Sequence, residues 1–167
     1  MLWRPVVGPS VMVGSTLCWL IGGGDILQLD LDTQSLAVIN RPLYLPLKFD
    51  FQILPMENNG LGFAVVSRQL NLQLWQWKAK SDGVMGLVLQ RAIDLEKLIS
   101  PAPSEERVRT KILGFAEGAN AIFLWWHDAA FMIQLDSLQV TKLPESTMSF
   151  PYYPYTSFFT AGSEIGN

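Results

Sequence analysis

Apolar and polar residues alternate in several short runs along this chain, and turn residues separate the runs. In the run 26–31 every second residue is leucine, while Gln28 and Asp30 fall between the leucines. Apolar runs at Thr16–Ile21 and Ser35–Ile39 flank it, joined through a glycine triplet and a short Asp-Thr-Gln turn. Alternation with period two, interrupted by short polar turns, predicts an antiparallel β-meander.

The same pattern returns near the C-terminus, between positions 121 and 143. The Leu-Asp-Ser tripeptide that begins at Leu135 matches the Leu-Asp-Thr tripeptide that begins at Leu31, 104 positions earlier (135 − 31). Strand-like runs with turns at 58–60 and 81–83 lie between the two meanders. The chain therefore contains about three units of four strands each.

Repeated units of this kind, roughly 50 residues long with connectors, are typical of β-propeller blades. We predict an all-β fold, a partial β-propeller of about three four-stranded antiparallel blades, in a single domain over 1–167. The blade-like units fall at about 10–41, 49–98 and 109–161. A two-sheet β-sandwich is the alternative. Propellers close with about four to eight blades, so three blades leave open sheet edges that favour self-association.

Other segments are predicted to connect or cover these units. Residues 1–9 read as an irregular lead-in, 42–46 as a proline-containing connector and 93–98 as a short helical turn. Residues 100–108, with two prolines and three charges, read as a solvent loop. The aromatic-rich segment 149–161 is predicted to pack back as a closing element.

The composition excludes several classes of protein. Hydrophobic residues make up 49% of the 167 residues and charged residues only 16%, which is typical of a globular chain. With a net charge of −3 and scattered cations, we expect no nucleic-acid partner. Cys18 is the only cysteine, so no intrachain disulfide forms, and its apolar neighbours indicate a core residue.

The N-terminal region is uncharged between Arg4 and Asp25, which resembles a signal peptide or a membrane span in hydropathy. Glycine, proline and hydroxyl residues interrupt this run, and two strands explain it better. We therefore expect a soluble intracellular protein, cytoplasmic or nuclear, with no membrane partner.

Candidate catalytic and metal-binding residues are few. His127 is the only histidine, which excludes a His-rich zinc site, and adjacent residues such as His127 and Asp128 usually point apart on a tight turn. Asp30 and Asp32 have a D-x-D spacing, but we interpret Asp32 as the cap of the turn and Asp30 as solvent-facing. The glycine triplet lacks the spacing of a phosphate-binding loop. We predict no catalytic, cofactor-binding or metal-binding residue and no cofactor.

Tryptophans supply the candidate partner-binding residues. Trp75 and Trp77 share one face of a predicted strand, whereas Trp125 and Trp126 must face opposite sides. An aromatic recognition surface would comprise Trp75, Trp77, Trp126 and His127. Packing between blades is the alternative use of these tryptophans, and the one we favour.

Three stretches resemble the plant F-box-associated β-propeller family, in particular its large expansion in grasses. They read VGSTLCWLIGGGDILQLDLDTQSLAVI, GLGFAVVSRQLNLQLWQWKAKSDGV and KILGFAEGANAIFLWWHDAAFMIQLDSLQVTKL, and PYYPYTSFFTAG resembles the family's tail. The resemblance covers about residues 9–162. It implies a propeller that recruits a substrate protein for ubiquitination, in proteins whose N-terminal F-box docks on a Skp1-type adaptor.

The sequence departs from that family at its N-terminus, since no F-box-like helical segment precedes Trp3. We therefore do not expect a Skp1-type adaptor as a partner. The residues shared with the family are blade-packing residues, so no catalytic or ligand-binding role carries over. The resulting prediction is a truncated, non-enzymatic protein-interaction module with an unidentified protein substrate as its partner. A gene remnant without autonomous function and an enzyme on a propeller scaffold are the alternatives.

Overall fold

The structure, a computed structural model, describes residues 6–41, 51–99 and 110–144, which form three four-stranded antiparallel sheets. The first sheet contains β1 (Val6–Val13), β2 (Thr16–Ile21), β3 (Ile26–Asp30) and β4 (Ser35–Ile39). The second contains β5 (Phe51–Met56), β6 (Gly60–Val66), β7 (Asn71–Ala79) and β8 (Met85–Asp94). The third contains β9 (Thr110–Ala116), β10 (Ala121–Trp126), β11 (Ala129–Gln134) and β12 (Val140–Lys142).

Strand order within every sheet follows the order of the sequence, because each strand pairs with its neighbour in the chain. A short connection can join two adjacent strands only if they are antiparallel, so each strand pairs with the one before it. The predicted all-β class and the four-stranded propeller-type blades are confirmed. The described residues form three separate sheets rather than the two of a sandwich.

The first strand begins earlier than the sequence pattern indicated. β1 starts at Val6, so the predicted irregular lead-in is wrong from that residue onward. Its pairing with β2 shifts register between Val7 and Val11, where Gly8 adopts a φ of 77°. A glycine-containing bulge of this kind lets a strand continue across residues that interrupt the apolar alternation.

A short helix, α1 (Leu95–Ile99), follows the second sheet. The predicted helical turn at 93–98 began two residues too early, because Ile93 still pairs with Leu72 in the sheet. The Asp94 carboxylate accepts a hydrogen bond from the backbone N–H of Lys97 at 3.1 Å and lies 3.0 Å from its ammonium group. These contacts lower the pKa of Asp94. The proline connector, the charged loop and the aromatic closing segment lie outside the described residues.

Two apolar layers hold the sheets together. The layer between the first and second sheets contains Val11, Cys18, Leu20, Ile26, Phe51, Ile53, Leu61, Phe63, Val65 and Leu87. The layer between the second and third contains Leu54, Ala64, Leu72, Leu74, Ile93, Leu95, Ile112, Ile122, Leu124, Trp126, Ile133 and Leu135. The second sheet is thus covered on both faces, which explains why β6 is a continuous apolar run rather than an alternating one.

The first strand of each sheet lies on the inside of the arrangement. β5 contacts both β1 and β9, whereas the fourth strands β4, β8 and β12 form the opposite sheet edges. The three sheets are therefore arranged as successive blades around a common inner side. No helix among the described residues is long and apolar enough to cross a bilayer.

Candidate protein-binding surface

The inner strands border a cleft of about 240 Å³, which we call the axial cleft. Its lining comes from β1, from β5 and from the end of β9 with the turn that follows it. The lining residues are Pro9, Ser10, Val11, Gln52, Ile53, Pro55, Phe115, Ala116, Glu117 and Gly118. All three sheets are needed to form the cleft, so it exists only because the blades pack side by side.

Proline residues mark two of these inner strands as sheet edges. Pro9 lies in β1 and Pro55 in β5, and neither can donate a backbone hydrogen bond to a neighbouring strand. Proline is therefore confined to edge strands and bulges, where the missing donor costs little. Both residues line the axial cleft, so the positions that resist further strand pairing are those that border it.

The cleft combines apolar surface with polar groups. The side-chain amide of Gln52 donates to the Ile53 carbonyl at 3.0 Å, which holds that side chain against its own strand. Glu117 is exposed at the start of a 3-10 turn (Glu117–Ala119), while Phe115 is half-buried beside it. An apolar side chain carrying a cationic end would contact the phenyl ring and the carboxylate together.

The size of the axial cleft limits what it can hold. Small-molecule and cofactor sites usually enclose about 300–1,000 Å³, whereas this cleft is smaller at about 240 Å³. It suits one or two protruding side chains of a partner better than an enclosed cofactor.

Trp75 and Trp77 lie on the face of β7 that packs toward the first sheet. Both are half-buried against the layer around Phe63 and Leu87. The indole N–H of Trp75 donates to the side chain of Gln73 at 3.2 Å, on the same strand face. Their apolar surface is largely used between blades, with the remainder exposed.

Trp126 lies on the other side of the second sheet. It is 4% exposed in the layer between the second and third sheets, and its indole nitrogen has no hydrogen-bond partner among the described residues. His127, in the following turn with a φ of 56°, makes an edge contact with the Trp126 ring at 6.0 Å between centroids. The second sheet therefore separates Trp126 from Trp75 and Trp77, and the four candidate residues do not form one surface.

The neighbouring Trp125 supports this turn. Its indole N–H donates to the His127 carbonyl at 2.8 Å, which ties the end of β10 to the connection into β11. Asp128 is exposed at the second turn position. The hydrogen bond from Trp125 to the His127 backbone carbonyl thus explains the conformation of this two-residue turn, and the imidazole is not needed for it.

The acidic turn of the first sheet differs from expectation. Asp30, not Asp32, caps the turn, since its carboxylate accepts backbone hydrogen bonds from Asp32 and Thr33 at 2.9 Å each. The bond from Thr33 is the main cause of a lowered pKa for Asp30. Because the Asp30 carboxylate accepts two backbone hydrogen bonds in the turn, the D-x-D spacing has a structural explanation that needs no metal. Among the described residues, no group of three or more His, Cys, Asp or Glu side chains is placed to hold a metal ion.

Cys18 is a core residue in the structure. It is fully buried, and the Gln28 side-chain amide lies 3.5 Å from its sulfur on the paired strand. Burial raises the pKa of the thiol, which keeps it protonated and poorly nucleophilic.

Sequence reasoning missed the axial cleft. Its residues come from three distant segments, and none of them belongs to a recognisable motif. The available signal was Pro9 and Pro55 within otherwise strand-like runs, which indicates edge strands. A proline can identify the edge strand of a sheet, but it does not indicate which other strands lie opposite that edge. The three edge strands converge only because the whole blades pack together.

Comparison with known proteins adds two structural likenesses. The N-terminal domain of Nup159 is 17% identical over 84% of this chain and 37% of that chain, with a TM-score of 0.41. The extracellular domain of BT4673 from B. thetaiotaomicron is 14% identical over 80% of this chain and 16% of that chain, with a TM-score of 0.41. Both are β-propeller-containing proteins. The strand order and pairing, rather than these likenesses, define the three sheets as propeller-type blades.

The chain spans little more than a third of the first of these structures and less of the second. No family model and no curated protein matches the chain.

Proposed function

We propose that this chain is a non-enzymatic protein-interaction module that binds an exposed segment of a partner protein at the axial cleft. The observation that carries the proposal is the convergence of three inner strands on a small cleft of mixed polarity. Functional contacts in proteins are frequently made by loops and edges positioned on a rigid framework, and three packed sheets supply such a framework.

The chemistry of the cleft favours a particular kind of segment. Glu117 supplies a negative charge at its rim, and the half-buried Phe115 and Pro55 supply apolar surface within it. A partner segment with a lysine or arginine beside an apolar residue would pair its cation with the carboxylate and bury its stem. Pro9 and Pro55 oppose recognition by β-strand addition along those strands, so side-chain contacts must dominate.

The resemblance to F-box-associated propellers supports a finer version of the proposal. The partner would be a substrate protein that the module recruits for ubiquitination. We place the module in the cytoplasm or nucleus, without a cofactor, a nucleic-acid partner or a Skp1-type adaptor of its own.

A peptide-display selection on the intact chain tests the proposal, followed by titration of enriched peptides by fluorescence polarisation. Glu117→Ala should weaken binding of a cationic peptide about tenfold or more, since a hydrogen-bonded charge contributes about 1.5–3 kcal/mol when partly desolvated. Asp128→Ala is the matched control, because Asp128 is also an exposed turn carboxylate and lies at the other end of the third sheet.

Enriched peptides that bind both variants equally would place recognition elsewhere than the axial cleft. A selection without enrichment would contradict the interaction role itself. A parallel screen with generic hydrolase and glycosidase substrates separates the proposal from an enzyme on the same fold, for which turnover would be expected.

A further inference from the structure

The first sheet has one face that is apolar throughout, which we call the outer face. It comprises Val6, Met12, Leu17, Trp19, Ile21, Leu27, Leu29, Leu36 and Val38. Large fractions of its side chains are accessible to solvent, with Leu36 68%, Val6 54% and Val38 53% exposed. Contiguous exposed apolar surface of this kind usually marks an interaction site.

Strand pairing explains why these residues share a face. Cys18 and Leu20 point toward the second sheet, so Leu17 and Trp19, on alternate positions of the same strand, point away from it. Across the sheet, Leu17 pairs with Leu29, and Leu29 pairs with Leu36, giving a continuous row of leucines.

The corresponding face of the third sheet packs inside the molecule. By the internal repeat, Leu29 and Leu31 correspond to Ile133 and Leu135, which are buried against the second sheet. Each later blade therefore uses this face to pack on the blade before it. The outer face of the first sheet has the same apolar pattern as the faces that make this contact.

The opposite end of the arrangement supplies a complementary face. Phe123 pairs with Met132, and Trp125 pairs with Ala130, on the side of the third sheet that points away from the second. Phe123, Trp125 and Met132 are only half-buried. In the first and second sheets this side accepts the next blade, so the third sheet presents an accepting face.

We propose that the outer face of the first sheet binds the accepting face of the third sheet in a second copy of this chain. Two copies related by a two-fold axis would make this contact twice and close a ring of six blades. Six lies within the range of about four to eight blades found in closed propellers. A head-to-tail contact that closes gives a discrete assembly, whereas one that does not close gives filaments.

Interface area favours this arrangement over a single pairing of two outer faces. Four strands about 4.8 Å apart and about 18 Å long present roughly 350 Å² per face. One face-to-face contact would bury roughly 700 Å² in total, the size of a crystal-packing contact. The ring makes two such contacts and buries roughly 1,400 Å², within the range of stable interfaces. It would also enclose the axial cleft with the inner strands of both copies.

Light scattering after size-exclusion chromatography tests the proposal on the intact chain. We expect a dimer of twice the 18.7 kDa chain mass. Leu36→Lys on the outer face and Met132→Lys on the accepting face should each weaken dimerisation about 100-fold or more, since each places an unpaired charge in both contacts. Val84→Lys is the matched control, because Val84 is 61% exposed in a turn of the second sheet and lies on neither face.

A wild-type chain that remains monomeric at about 100 μM would overturn the proposal, as would open filaments that Met132→Lys abolishes. Dimers that survive Met132→Lys but not Leu36→Lys would show two outer faces paired with each other and would also overturn it. Circular dichroism melts of each variant show whether the monomer stays folded. The axial-cleft variant Glu117→Ala should leave the dimer intact. Dimerisation and the proposed peptide binding are therefore tested independently of each other.

Discussion

The first and third sheets share a strand pattern but differ in what surrounds it. Leu31 and Leu135 occupy the same place in the repeat, yet Leu31 is 45% exposed and Leu135 is 4% exposed. Leu135 packs on the second sheet, and its carbonyl accepts a hydrogen bond from Arg91 of β8. The local sequence pattern therefore determines where a strand forms and which face each side chain lies on. The neighbouring blade determines how far that side chain is buried.

The turns of the two sheets show a second difference. Asp30 caps the first turn through backbone N–H groups, whereas Gln134 occupies the matching position in the third sheet and accepts from Ser137 at 3.1 Å. There the Asp136 carboxylate instead accepts from Asn120 at 2.8 Å, across to the turn before β10. The first turn is thus held by a carboxylate that accepts from backbone N–H groups, and the matching turn by hydrogen bonds between side chains.

The largest expected effect comes from truncating the matched leucines. Leu135→Ala should lower the free energy of unfolding by about 2–5 kcal/mol, because it leaves a cavity in a packed layer. Leu31→Ala should lower it by about 1 kcal/mol or less, since the side chain is already half in solvent. Urea denaturation at equal, low protein concentration measures both. Equal losses would mean that the outer face is already covered within the monomer.

Cysteine labelling gives a sharper version of the same comparison. In a Cys18→Ala background, Leu31→Cys should react with a thiol reagent at least tenfold faster than Leu135→Cys, because a buried site must open before it reacts. The wild-type chain, with Cys18 fully buried, should label as slowly as Leu135→Cys. Rapid labelling of Leu135→Cys would indicate that the second and third sheets separate readily.

The smallest expected effect concerns acid stability. The pKa of Asp30 lies below its ordinary value of 3.8, so the stability that this group contributes is present above that pH and is lost as pH falls through the lowered pKa. Asp30→Asn should therefore flatten the acid limb of the unfolding curve below pH 3.8. Asp32→Asn keeps both backbone hydrogen bonds to Asp30 and serves as the control. If the wild type and both variants lost stability identically below pH 3.8, the capping role of Asp30 would be contradicted.

Much of the fold was predictable because strand facing and turns are local properties. β2 and β4 lie at the predicted residues, since alternation and flanking turn residues define them. β1 was predicted less well, because Gly8 and Pro9 interrupt its pattern while the bulge preserves its pairing.

The candidate site was harder to predict than the strands. The tryptophans were identified as packing or binding residues, but only the stacking of sheets places Trp126 on one side of the second sheet and Trp75 on the other. Likewise, the role of Asp30 depends on a turn geometry in which its carboxylate, not that of Asp32, meets the backbone donors. Contacts between residues far apart in the chain decide these outcomes.

The two edges of the first sheet differ in their resistance to aggregation. Its inner edge, β1, carries a proline, which blocks the growth of intermolecular β-structure along that strand. Its outer edge, β4, reads SLAVI, with neither proline nor charge, and is exposed along most of its length. Such a segment is a template for cross-β assembly. During expression and storage, β4 is therefore the segment from which we expect fibrils to nucleate, and a single lysine there would act as a gatekeeper.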